Sequence, residues 1–385
     1  MILKTDQHKN NFDFIRVFAA GLVLFSHQFA LLGATEPGFF PGISFGSLGV
    51  CIFFSISGFL VCQSWLNDPH PLRFIARRFL RIWPALIVVT VLSALLLGPL
   101  ISTRTPKEYF NSRETWDYFK NLLLIIKYQL PGVFDANPFP QAVNGSLWTI
   151  PVEVKWYWLV LGAGVSGLLK FRYLMLCLLF CLAAFVLVAH QVTGGAAHNY
   201  FVEYGLFFLS GACLHLFRDV WSKQLIGLIV CICGAAGAAF ALGYPIIGLW
   251  LIVPYAVVRF GLASTVILRR FGRFGDCSYG LYIYAFPVQQ LVVWSTNASL
   301  SVTASLVLSA SGTAILAFLS WHLIEQPAMR FRPGQRGKGN RTTKHERLLT
   351  PGSVETPHLS FAMNVLAFNP QKNKLQYSKR RRQAK

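Results

Sequence analysis

The sequence predicts an all-α fold: a polytopic membrane helix bundle of about ten transmembrane helices with a disordered, basic C-terminal tail. Three observations carry that prediction. Hydrophobic residues make up 54% of the 385 positions and charged residues only 13%, where a soluble domain has about 25% charged residues; mean hydropathy is +0.49. The apolar residues fall in runs of roughly 17 to 25, the length that spans a bilayer as a helix. The basic residues sit mainly in alternate connections, which is the positive-inside asymmetry.

The runs are Phe12 to Leu32, Gly46 to Leu66, Ile82 to Ile101, Leu147 to Leu168, Tyr173 to Ala189, Tyr200 to Phe217, Leu225 to Gly243, Pro245 to Ala263, Tyr279 to Ser295 and Val302 to Ile324. An even number puts both termini on one side. With the N-terminus in the cytoplasm, Lys4 and Lys9, Arg73 with Arg77 and Arg78, Lys170 with Arg172, Arg218 with Lys223, and Arg269 with Arg270 and Arg273 are all inside. The opposite connections at His190 to Asn199, Gly243 to Tyr244 and Thr296 to Leu300 hold no Lys or Arg. The long connection Ser102 to Ser146 mixes both signs, and long loops translocate largely regardless of charge. Within it, Leu122 to Ile126 is apolar but too short to span, which suits a re-entrant or surface segment.

The net charge of +20 does not imply nucleic acid. Fourteen Lys and Arg against two Glu from Gln326 onward supply +12 of it, in a stretch without apolar period that reads as a disordered tail drawn to anionic lipid. The membrane domain is therefore 1–331 and the tail 332–385. The eight Cys lie mostly in apolar runs without zinc or thioredoxin spacing, so no metal site is expected. The first run holds Arg16 and His27 and lacks a cleavage pattern, so it reads as a retained helix rather than a signal peptide.

Ionisable residues inside the runs point to function. Lipid tolerates them mainly where they face a bundle interior or a polar cavity. Arg16 and His27 are eleven residues apart, three turns plus roughly 20°, and so share a helix face about 16 Å apart. His27 then lies toward the outer end of its helix and Arg16 near the inner edge. The fourth run enters from outside, which puts Glu153 about 9 Å deep and level with His27. A carboxylate beside an imidazole fixes its tautomer and supports a general base. Asp13, three residues before Arg16, is its expected ion-pair and orienting partner. At the start of the third run Arg78 and Arg81, spaced i and i+3, present two guanidinium forks to one face, a pattern that can hold a phosphate or simply anchor the helix. Pro84 suits the first turn of that helix. Intramembrane His, Glu and Arg also build the relays of transporters, the alternative reading, but no internal repeat is visible.

Together these residues resemble the acyltransferase-3 family of integral membrane acyltransferases that act on cell-surface glycans. The resemblance runs from Asn11 to about Phe331. Asn11-Phe12-Asp13-Phe14-Ile15-Arg16 opens the Arg-x10-His pattern completed by His27, and Gly49 to Leu60, Arg78-x-x-Arg81 and Gly145-Ser146-Leu147-Trp148 with Glu153 follow. Ser278-Tyr279-Gly280-Leu281-Tyr282 with Phe286-Pro287, and Ile324-Glu325-Gln326-Pro327, resemble the last two signatures. Many relatives carry His where this chain has Ala285, so no role is assigned there. The esterase-like domain of some relatives has no counterpart, which implies a stand-alone membrane unit.

The resemblance implies a multi-pass enzyme of the bacterial plasma (inner) membrane, both termini cytoplasmic. It would move an acyl group, expected to be acetyl, from cytoplasmic acyl-CoA to a hydroxyl of a glycan or lipid-linked sugar. Acyl-CoA and the sugar are then its partners beside membrane lipids; no nucleic acid and no permanently bound cofactor are expected. In that scheme His27 and Glu153 are catalytic, Arg78, Arg81 and Arg16 bind the donor, and Asp13 orients Arg16.

Overall fold

The computed structural model describes residues 10–38, 43–193, 199–222 and 225–333. The expected tail falls outside them, apart from its first two residues. Ten long helices stand at the ten apolar runs: α1 (Phe12–Leu31), α2 (Phe45–Asn67), α3 (Pro71–Val91), α4 (Thr149–Val165), α5 (Arg172–Thr193), α6 (Tyr200–Leu216), α7 (Leu225–Ala241), α8 (Pro245–Leu262), α9 (Ser278–Ser295) and α10 (Val302–Ser320). α3 continues to Ile101 and α10 to Met329, each through a π-helical stretch, at Leu92–Leu97 and Trp321–Glu325. Among the described residues, six helices are long and apolar enough to cross a membrane: α1, α2, α5, α8 and the extended α3 and α10.

α2 is the axis of the bundle, packed against α1, α4, α6 and α8, while α1 also meets α9 and α10. Small residues permit that density, since helices in lipid associate by close packing rather than by hydrophobic exclusion. A Cβ on Gly58 of α2 would stand 1.8 Å from the Phe208 carbonyl oxygen of α6, and one on Gly211 of α6 would stand 2.1 Å from the Ser55 carbonyl of α2. The α1 start is tied down by polar contacts: Asn11 Nδ2 donates to the Phe260 carbonyl at the end of α8 (3.1 Å), and Thr265 Oγ1 donates to Asn11 Oδ1 (3.0 Å). The outer faces of α5 and α10 expose Phe180, Phe185, Leu308, Ile315 and Phe318, as a lipid-facing surface should.

α3 begins at Pro71 rather than at Ile82, so its arginines stand on formed helix and Pro84 lies in the helix interior rather than in the first turn. Charge had masked the helix start in the hydropathy pattern.

The long connection does more than join α3 to α4. Tyr109 OH donates to the Ala94 carbonyl, freed within the π-helical turn of α3 (2.8 Å). The chain then runs back along α3 until the Leu122 carbonyl accepts from Trp83 Nε1 (3.1 Å). Ala94 to Trp83 is about 16 Å of helix, so the segment containing Leu122 returns by that length along α3. A second descent follows on α9. Asn137 Nδ2 donates to Gln290 Oε1 (2.7 Å), Gln290 Nε2 to the Phe139 and Ala142 carbonyls (2.8 Å each), and Asn144 Nδ2 to the Ile283 carbonyl (2.9 Å). Tyr282 OH closes the path by donating to the Ser146 carbonyl (3.1 Å). From Gln290 to Tyr282 this seam descends about 12 Å, and α4 therefore starts deep inside the bundle.

Candidate active site

Where α1, α2, α3, α4 and α9 converge, near the start of α1 and the end of α10, they enclose a cavity of about 420 Å³. Along α2 its wall runs from Val50 to Val61, about 16 Å, so the space is long rather than round. Asp13, Arg16, Arg78, Arg81, Glu153, Asp276 and Arg332 all line it.

Helix phase explains the first members. Asp13 and Arg16 lie one turn apart on α1 and form an ion pair of 3.2 Å, as their spacing predicts. Asp276, immediately before α9, accepts from Arg16 (3.1 Å) and Arg81 (2.8 Å) and also from the Ser278 hydroxyl. Three elements are thus joined through one carboxylate. Burial works against that charge, but Arg81 and Arg16 hold the Asp276 carboxyl well below the ordinary carboxylate range.

Arg78 differs from Arg81 although they share the helix face. Its guanidinium lies over the rings of Phe74 (5.8 Å) and Tyr157 (5.7 Å) and reaches Ser64 Oγ only at 3.5 Å. Its Nε is buried without an acceptor. Arg81 is therefore neutralised by Asp276, while Arg78 has no carboxylate partner among the described residues.

Glu153 and His27 do not form the expected pair. The Glu153 carboxylate accepts from the hydroxyls of Ser57 and Tyr157, inside the cavity that holds Arg78. Leu147 is not at the outer boundary that the apolar run implies, because the descent along α9 starts α4 much deeper and carries Glu153 with it. His27 is not among the residues lining the cavity. It stands farther along α1 with its ring edge-to-face against Phe286 (5.2 Å) and its Nδ1 buried without a partner. Both its neighbours are fastened: Ser26 Oγ donates to Glu36 (2.8 Å) and Gln28 Nε2 to Ser305 Oγ (2.9 Å). Phe286, one turn beyond the cavity-lining Tyr282 on α9, packs against Gly145 so tightly that a Cβ there would meet its ring at 2.5 Å. This aromatic ring and the descending chain stand between the cavity and His27.

Residues 9–323 match the family model described as an acyltransferase domain. The chain belongs to the acyltransferase-3 family. As a member of that family it is an acyltransferase of multi-pass membrane architecture. It is 32% identical to the O-acetyl transferase of Shigella phage Sf6 across 83% of this chain and 96% of the relative. It is 29% identical to nodulation protein 10 of Rhizobium leguminosarum bv. viciae, across 84% and 94% of the two chains. No solved structure matches it.

Within this acyltransferase, sequence reasoning missed Asp276, Ser57, Tyr157 and Arg332. Asp276 lies between apolar runs, where hydropathy raises no alarm, although it stands two residues before the Ser278-Tyr279-Gly280 signature. Ser57 and Tyr157 are ordinary residues of apolar helices until Glu153 gives them a partner. Arg332 fell on the tail side of the expected boundary, and the fold brings it back to the cavity wall.

Proposed function

We propose that the protein is an O-acyltransferase, in the first instance an O-acetyltransferase, that takes an acyl group from acyl-CoA on the cytoplasmic side and passes it to a sugar hydroxyl of an exported or surface glycan. The observation that carries the reading is the long cavity with a cationic end at Arg78 and an unpartnered imidazole just past its other end. A phosphate-bearing donor with a long flexible thioester arm suits that shape. The phosphates meet guanidinium forks, which bind such groups bidentately, and the arm carries the acyl carbonyl inward toward Phe286. The name of the phage relative favours acetyl.

In this scheme Arg78 binds donor phosphate, and Arg16 and Arg81, held by Asp13 and Asp276, set the charge and shape of the entrance. His27 removes the hydroxyl proton as the oxygen attacks the thioester carbonyl. The carbon–sulfur bond then breaks, and the proton passes from His27 to the departing thiolate. Glu153, with Ser57 and Tyr157, belongs to the arm's channel rather than to His27. The test is transfer of labelled acetyl from acetyl-CoA to glycans in membranes that contain the protein. Label in the glycan of these membranes alone, with a several-fold higher donor KM for Arg78→Ala, supports the reading. No transfer, or a donor response untouched by Arg78→Ala, removes it.

A further inference from the structure

The acids of the cavity are all engaged, but two of its bases are not. Asp13 is paired with Arg16, Asp276 with Arg16 and Arg81, and Glu153 with two hydroxyls. Arg78 and Arg332 remain without a carboxylate among the described residues. Arg332 reaches only the Met329 sulfur, and its Nε, like that of Arg78, is buried without an acceptor. Burial, with Arg81 and Arg78 close enough to add their charge, holds the Arg332 pKa down to about 10. Two half-buried guanidinium groups that feel each other's charge and form no ion pair with a carboxylate favour an anion, which supplies both charge and hydrogen-bond acceptors.

We propose that Arg332 forms a second anion subsite at the cavity entrance, separate from Arg78, and that it takes the terminal 3′-phosphate of the CoA moiety. The assignment rests on the acyl-CoA reading above. It follows from position and charge. Arg332 comes just after the end of extended α10 and interacts electrostatically with Arg16, Arg78, Arg81 and Asp276, so it belongs to the entrance group. A donor whose thioester arm points inward leaves its nucleotide end there, and the phosphate monoester carries more negative charge than either diester-type phosphate of the bridge. Arg78, whose guanidinium lies over the Phe74 and Tyr157 rings, then meets the pyrophosphate.

The experiment compares CoA with 3′-dephospho-CoA by calorimetry on the full-length protein in lipid nanodiscs, and the matching acetyl donors by rate. Wild type should bind CoA about tenfold or more tighter than dephospho-CoA, the size expected of a charged hydrogen-bonded contact. Arg332→Gln should lose that factor for CoA, leave dephospho-CoA within about twofold, and raise donor KM without changing kcat. Arg332→Lys, which keeps the charge, should recover part of the discrimination even if the glutamine variant folds poorly. Equal weakening of both ligands by Arg332→Gln overturns the proposal and makes Arg332 a packing or lipid-headgroup contact. A wild type that binds both equally overturns it too. Absence of any CoA binding or acetyl transfer in wild type removes the donor reading itself, a result distinct from the other two, and the subsite falls with it.

Discussion

The two ends of α1 carry the same sequence signal, an ionisable side chain in an apolar helix, yet the fold treats them in opposite ways. Arg16 is tied to Asp13 and Asp276, and through Asp276 to Arg81 on α3. His27 has a buried nitrogen with no partner, although Ser26 and Gln28 on either side are hydrogen-bonded. One end is a finished electrostatic structure. The other holds an imidazole between two hydrogen-bonded neighbours and leaves its Nδ1 without a partner. The roles proposed above would need that difference, since a binding entrance must keep its shape without ligand whereas a general base must have a lone pair to offer.

The largest effect should come from the bare end. His27→Ala is expected to lower acyl transfer by about 10²–10⁴-fold, the range for a general acid–base group, while the thermal melt should fall only by what the lost ring contact with Phe286 costs, since no hydrogen bond is broken. An enzyme that keeps wild-type kcat without this imidazole would show that the bare nitrogen is only a packing accident.

The networked end should respond in the opposite sense. Asp276→Asn leaves the Arg16 and Arg81 guanidinium groups without their shared charge in a site where the aspartate is only 15% exposed. Breaking a buried ion pair from one side costs about 3–5 kcal/mol, so stability should fall first, accompanied by a higher donor KM. Unchanged melting with a lost kcat would assign Asp276 to chemistry and dissolve the contrast.

Between the two ends lies the contact of Gly145 with Phe286. A Cβ at position 145 would stand 2.5 Å from the Phe286 ring, so Gly145→Ala must displace the ring or the descending chain. Overpacking of this kind costs about 1–3 kcal/mol. Because the strain falls on the wall between cavity and His27, kcat should drop further than donor KM rises. A change confined to donor KM would place this contact in the entrance instead.

How much of this was legible beforehand depends on the range of the interactions. The ten helices and the Asp13–Arg16 pair follow from local spacing and hydropathy, which act within one element, whereas the apolar segment near Leu122 could be read only as too short to span. The match of Glu153 to His27 failed because depth along α4 depends on where α4 starts, and that is fixed by Asn137 meeting Gln290 and Asn144 meeting Ile283 across more than a hundred residues of sequence. Asp276 was invisible for the same reason: an aspartate in a short connection is unremarkable until two arginines from other helices converge on it. The start of α3 was hidden by charge, since hydropathy sees only the part of a helix that lipid surrounds.

The smallest expected effect gives the most direct check on whether the two ends are independent. Glu36, in the connection between α1 and α2, accepts from Ser26 Oγ and from the Phe45 backbone N–H, both at 2.8 Å. It thus staples the turn that carries His27 to the start of α2. Glu36→Gln keeps one acceptor oxygen and removes the charge, a change worth about 1 kcal/mol. His27 would sample more positions, so kcat should fall a few-fold. The proposed donor entrance lies two to three turns away along α1 and shares no hydrogen bond with Glu36, and substitutions that far apart without common partners act independently. Donor KM should therefore stay at its wild-type value, and Glu36→Gln combined with Arg78→Ala should show the product of the two single effects. A shift of donor KM in Glu36→Gln, or a clear departure from that product, would mean that α1 transmits strain from one end to the other and that the entrance and the base operate as one unit.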